Sequence, residues 1–246
     1  MHLQSEMIAE GNWLFRHRGV VPLAFLLPLI WVVATMRWPF HSYAFHELWE
    51  VFALFVSACG FIVRVITIGH TPAGTSGRNT DRQIAEALNT KGIYSTVRHP
   101  LYLGNFLIGL GVVIVPFSIW LTCVYGLAFW LYYERIMLAE EDFLASRFGD
   151  SFHAWATSTP AFIPKLRLWR KADLSFSMRN VLKREYTALA LFVLCHALIE
   201  TIEHAVIDHN FHLEAGWIGL LGGTLFLYFL LRYLKNHSSI LAVEGR

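Results

Sequence analysis

The sequence predicts an all-α protein, a polytopic bundle of about six membrane-spanning helices folded as one membrane domain over residues 1–246. Three observations predict it. Hydrophobic residues make up 55% of the chain and charged residues only 15%, against about 25% charged in ordinary soluble domains. The apolar residues gather into runs near the roughly 20 residues a helix needs to cross a hydrocarbon core. Lys and Arg are concentrated in alternate connecting segments rather than spread evenly.

The runs follow in order. Val20 to Met36 is the first, and Leu48 to Gly69, with Arg64 near its end, is the second. Leu101 to Val115 and Phe117 to Leu131 meet at Pro116, which reads as a hairpin whose tip barely leaves the membrane. Tyr186 to Ile207 and Trp217 to Leu234 form the last pair, separated by the polar stretch Asp208 to Glu214. Met1 to Gly19 is polar and mixed in charge, so no cleavable export signal is expected there.

Charge then orients the bundle. Arg78, Arg82, Lys91 and Arg98 lie between the second and third runs, and a dense set from Arg135 to Arg184 lies between the fourth and fifth. Both segments are expected in the cytoplasm, with Arg16, Arg18, Arg232 and Lys235 placing both termini on the same side. The basic stretch Lys165 to Lys171, with Trp169 among its cations, belongs at headgroup level as an anchor or a lipid-binding patch. A short amphipathic segment is expected around Asp81 to Leu88. Cys59, Cys123 and Cys195 are widely spaced inside apolar runs and show neither pairing nor metal-ligand spacing. The net charge of +2 and the apolar character give no footing for nucleic acid, and the partner implied is the bilayer.

Chemistry concentrates in Lys91 to Asn105. Pro100 lacks an amide hydrogen and has a preset φ, so it fits the first position of the third span. The amides behind it lack intrahelical partners and favour an anion, and Arg98 and His99 add donors beside them. Tyr102 and Asn105 recur at one-turn intervals on or near the side of His99, while Gly104 admits a close neighbour, helix or ligand. The end of the fourth span carries Glu134, Glu140, Glu141 and Asp142, then Phe148-Gly149. An anion-binding helix mouth facing carboxylates suits a zwitterionic ligand that also bears hydroxyls.

Gly92-Ile-Tyr-Ser-Thr-Val-Arg-His-Pro-Leu-Tyr-Leu-Gly-Asn105, then Glu140-Glu141, then Phe148-Gly149 with Trp155 and Pro160 to Pro164, resembles the isoprenylcysteine carboxyl methyltransferase and phospholipid methyltransferase superfamily. The resemblance covers roughly residues 60 to 166 and lies in the joint order of the motifs. It implies S-adenosylmethionine as cofactor, in a cytoplasmic-side pocket built from the last spans of a catalytic unit (48–170) and the segment after them. A membrane lipid or other lipophilic acceptor would enter sideways. Carried over by position, Arg98 and Glu141 are the expected catalytic pair, and Tyr94, His99, Tyr102, Leu103, Gly104 and Glu140 the expected cofactor-binding positions. A membrane reductase using NADPH, and a non-catalytic channel, transporter or scaffold, are the competing readings. The acceptor group and the oligomeric state stay open.

A C-terminal helical pair (186–236) follows that unit. His196, Glu200 and His204 recur every four residues and so share a helix face. Ionisable groups in a span are costly and turn toward a bundle interior or wet cavity. The face is therefore expected to make an interhelical polar contact, with a substrate headgroup pocket at His196 and Glu200 as the alternative. His and carboxylate ligands suit Zn or Fe, but no metal is assigned. Gly219, Gly222 and Gly223 in the last span are expected to permit close helix packing.

Overall fold

The computed structural model describes residues 2–75, 83–207 and 209–246. Among them the regular elements are helices: α1 (Leu3–Arg16), α2 (Leu26–Ala34), α3 (Tyr43–His70), α4 (Pro100–Ile114), α5 (Ile119–Phe148), α6 (Asp150–Ser158), α7 (Met178–Ile207) and α8 (Ala215–His237). Four segments are long and apolar enough to cross a bilayer: Val21–His41, Tyr43–His70, Met178–Ile207 and Ala215–His237. The expected third span, α4, is shorter at 15 residues. The expected fourth, α5, is long, but its second half is a charged continuation (Glu134 to Arg147).

Local chemistry sets the helix starts. Ser42 caps α3 by accepting a hydrogen bond from the Phe45 amide at 3.2 Å, satisfying one of the orphan donors of the first turn. Pro100 occupies the first turn of α4, as its fixed φ requires. The hairpin around Pro116 is present, with Phe117 at φ 51° in the turn before α5. Gly92 and Gly149 stand at φ 61°, ψ −137° and φ 51°, ψ −126°, a region that is steric strain for any residue with a Cβ. Both motif glycines are thus fixed by backbone geometry.

The core joins α2, α3, α4, α5 and α7 through Val33, Ala53, Val113, Val115, Leu121 and Ile199. Close approach of α3 and α4 depends on small residues. A Cβ on Gly60 would sit 2.6 Å from the Gly104 carbonyl oxygen, and one on Gly104 would sit 2.9 Å from that of Gly60. Gly104 therefore serves a neighbouring helix rather than a ligand. Large apolar side chains point outward along α3 (Leu48, Val51, Phe55, Ile62) and α8 (Ile218, Phe226, Phe229), the pattern of a lipid-facing surface.

Three expectations need amendment. Gly219, Gly222 and Gly223 meet no neighbour within 4 Å, so in this chain they present a smooth outer face of α8 rather than a packing seam. The expected amphipathic segment begins at Asp81, outside the described residues, and Gln83 to Leu88 is irregular. The N-terminal segment, read as polar and mixed in charge without an element of its own, holds α1, which lies on α5 with Gly11 against the Arg135 backbone and Glu10 paired to Arg135 at 2.6 Å. The C-terminus returns to the end of α3, where Arg246 Nη1 donates to the Gly69 carbonyl at 2.7 Å.

Candidate active site at the mouth of α4

The segment after α6 folds back along the loop before α4. Arg98 N donates to Pro160 O (2.9 Å), His99 N to Ala161 O (3.2 Å), Lys165 N to Thr96 O (3.0 Å) and Gly92 N to Arg170 O (2.9 Å). Trp155 Nε1 adds a bond to Tyr94 O at 3.0 Å. These bonds satisfy loop groups that helices leave unpaired, and they hold Tyr94, Arg98 and His99 at the entrance of α4.

There the two halves of the sequence pattern meet. His99 Nε2 lies 2.8 Å from Glu141 Oε1, and its Nδ1 lies 3.5 Å from Glu140 Oε2. Tyr102 donates its hydroxyl to Glu140 Oε1 at 2.6 Å, with its ring stacked on His99. Arg98 Nε stands 3.1 Å from Glu141 Oε1. Its N–H finds no directed acceptor, so this contact is an ion pair rather than a hydrogen bond, while Nη1 donates to Ala156 O at 3.1 Å.

Burial disfavours a charged His99, yet hydrogen bonds and charge from Glu140 and Glu141 outweigh it and raise the imidazole pKa above its ordinary value. His99 is thereby held toward the imidazolium form. Burial, and then the Glu140 charge, push the Tyr94 phenol upward, so it faces the site as a neutral donor.

These groups border a cavity of about 380 Å³, within the ordinary range of about 300–1,000 Å³ for small-molecule sites. Its wall includes Tyr94, Arg98, His99, Tyr102 and Glu140 from the expected set. Glu141, Leu103 and Gly104 do not line it. Glu141 stands behind the wall and braces Arg98 and His99, and Gly104 faces α3. His196 and Glu200 do not line it either. Both are buried farther along α7, where His196 meets Ser57 Oγ at 3.0 Å.

Several wall residues escaped sequence reasoning. Phe15 and Arg18 come from α1 and its end, Tyr133 from α5, and Arg184 and Glu185 from the head of α7. Arg64 Nε and Nη2 donate to Glu185 Oε2 (2.7 Å) and Oε1 (2.9 Å), and Nη1 donates to Asn105 at 2.5 Å. A charge inside an apolar run was the available signal for Arg64. Glu185 had none, being one acid in a basic stretch.

Residues 49–151 match the phospholipid methyltransferase family model. The chain is 28% identical to the protein-S-isoprenylcysteine O-methyltransferase of Schizosaccharomyces pombe over 54% of its own length and 57% of that protein's. It is 27% identical to the protein of the same name from Dictyostelium discoideum over 65% and 67%. Residues 49–151 are thus similar to the phospholipid methyltransferase family, and longer stretches of the chain are similar to protein-S-isoprenylcysteine O-methyltransferases. A shorter match, 46% identical over 34% of this chain, is to the cobalt-zinc-cadmium resistance protein CzcN of Cupriavidus metallidurans, covering 38% of that protein. The chain thus spans about two fifths to three fifths of the first relatives it matches, and no solved structure matches it. The site gathers where the apolar helices α4 and α5 emerge into polar connecting segments. The matched core carries Arg98, His99, Tyr102, Glu140 and Glu141 together, whereas Phe15, Arg18, Trp155, Arg184 and Glu185 lie outside it.

Proposed function

We propose that this protein is a membrane methyltransferase that uses S-adenosylmethionine and methylates a lipid or other membrane-soluble acceptor at the cytoplasmic interface by in-line transfer. The observation that carries this reading is the cavity at the mouth of α4, where cations, a carboxylate and neutral phenols converge on one small volume.

The donor set fits the cofactor. Arg98, with its buried Nε short of a directed acceptor, suits a carboxylate, and His99, whose two ring nitrogens face Glu140 and Glu141, holds those acids in place beside it. Glu140, which reaches the wall, suits an ammonium or ribose hydroxyls. Tyr94, Tyr102, Tyr133 and Trp155 offer the apolar and aromatic surface on which a purine and a sulfonium are accommodated. When bound, S-adenosylmethionine supplies an electrophilic methyl carbon on a positively charged sulfur.

The chain's own residues orient and exclude water. Arg98 directs an anionic acceptor oxygen or holds the cofactor carboxylate, and the wall from α1, α5 and α7 keeps bulk water from the reacting atoms. Methyl transfer to an anionic acceptor needs little acid or base help, so positioning supplies most of the acceleration. Glu141 is a positioning residue, because Arg98 and His99 both engage its Oε1. Arg64 and Glu185 fix the opposite wall.

The test is to incubate purified protein with S-adenosylmethionine and fractionated membrane lipids and to look by mass spectrometry for the gain of one methyl. Parallel titrations with S-adenosylmethionine and NADPH separate this reading from a reductase. Binding of NADPH alone, with no methylated product in any lipid fraction, would sink it.

A further inference from the structure

At the other end of α3 and α7, a second polar cluster is built from groups the methyltransferase site does not use. Glu200 and His204 are buried on α7, and Glu214 stands just before α8. One ligand atom from each lies within 4.8 Å of the other two, and His204 Nε2 is 3.2 Å from Glu200 Oε1. A tetrahedral zinc ion with bonds of about 2.0–2.1 Å sets its ligands roughly 3.3 Å apart, so small side-chain rotations close the set.

The surroundings carry a second signal. Glu203 is fully buried, with Oε2 at 2.8 Å from His46 Nε2 and Oε1 without a partner. It lies within electrostatic reach of Glu200 and His204. Glu50, one turn along α3 from His46, reaches the Glu200 carboxylate, and its own buried Oε1 also lacks a partner. Four carboxylates thus crowd one apolar-walled end of the bundle, and the ion pairs described for them are with imidazoles. Carboxylates this close repel one another unless a proton or a cation stands between them. An interhelical hydrogen-bond network would be expected to fill its buried acceptors, and this one leaves two of them open.

We propose that Glu200, His204 and Glu214 bind a divalent transition-metal cation of the zinc class, with the His46–Glu203 pair and Glu50 orienting and balancing it. Mixed imidazole and carboxylate donors suit such ions better than Mg²⁺ or Ca²⁺, which prefer all-oxygen sets. Buried groups that hold ligands from behind are the ordinary second layer of a metal site. Trp38 packs against the His46 and His204 rings, and Tyr43 donates to Glu214 Oε1 at 3.2 Å, so the exposed ligand is itself held in place. Glu50 and Arg64 are separated along α3 by roughly 21 Å at 1.5 Å per residue, which makes this site independent of the cavity at α4.

The test uses the full chain in detergent, stripped with chelator and titrated with Zn²⁺ by calorimetry. Co²⁺ absorption reports the ligand field, and bound metal is counted after dialysis. One Zn²⁺ per chain is expected, with an intense visible Co²⁺ band. Glu214→Gln, at an exposed position, and His204→Gln should each weaken Zn²⁺ binding at least tenfold while S-adenosylmethionine binding is unchanged. Arg98→Ala should do the converse, which keeps failure of this site distinct from failure of the methyltransferase reading. Absence of stoichiometric binding, or Zn²⁺ affinity within twofold of the parent in both Glu214→Gln and His204→Gln, overturns the proposal and leaves a proton-sharing contact between helices.

Discussion

Glu141→Gln isolates the brace behind the cavity, because it removes one charge and almost no volume. In the parent, a single oxygen, Oε1, stands 2.8 Å from His99 Nε2 and 3.1 Å from Arg98 Nε. A hydrogen bond to a charged group contributes about 1.5–3 kcal/mol. The low end applies, since both Arg98 and Glu141 retain about a fifth of their side-chain exposure and solvent screens the pair, while His99 keeps Glu140. About 1.5 kcal/mol corresponds to roughly tenfold. Calorimetry in detergent should therefore show S-adenosylmethionine bound about tenfold more weakly. A merely structural role would stop there, but a positioning role also moves a titration. His99 has a folded pKa above its unfolded value, so its stabilisation is complete below the unfolded pKa and is lost as pH rises through the folded one. Glu141→Gln removes one cause of that elevation, so the alkaline loss of cofactor binding should begin at lower pH than in the parent. Binding within twofold of the parent, with an unmoved pH profile, would refute the reasoning.

Other perturbations probe the remaining supports. Glu185→Gln leaves Arg64 with Asn105 and half of a bidentate partner; removing one member of a buried pair costs about 3 kcal/mol, and thermal unfolding in detergent should show a fall of several degrees. Gly104→Val forces atoms into the space where even a Cβ lies 2.9 Å from the Gly60 carbonyl and 2.5 Å from Arg64 Cγ; overpacking of about 1–3 kcal/mol should lower the melting temperature and weaken cofactor binding together, and an unchanged melt would contradict the close approach of α3 and α4. Tyr102→Phe deletes the 2.6 Å bond to Glu140 with little change in shape, so helix content should persist while cofactor affinity falls about fivefold to tenfold, consistent with about 1–1.5 kcal/mol.

The helices of this fold were legible because lipid-facing surface writes itself as long apolar runs. Pro100, Pro116 and the two motif glycines, Gly92 and Gly149, were legible because their backbone constraints are local. The meeting of His99 with Glu140 and Glu141 was foreseeable from a tight hairpin joining the helices that carry them. What did not show was which of two adjacent acids would face the cavity, since neighbours on a helix point about 100° apart and their roles depend on helix rotation. The N-terminal helix was missed because a mixed-charge segment resembles a solvated tail until Gly11 lets it press against the Arg135 backbone. Glu50 was overlooked inside its apolar run. Its significance comes from Glu200, 150 positions later, and no periodicity spans that separation.

Arg184 and Glu185 enter the cavity from the head of α7, beyond the matched family core that ends at 151. The final pair of helices is therefore no detachable appendage. A gene fragment stopping at residue 170 would encode a vessel with an open flank and an Arg64 stripped of its anchor. Chimeras that exchange tails between relatives must place their junction after residue 185, or carry both sides of that guanidinium–carboxylate clasp from the same parent.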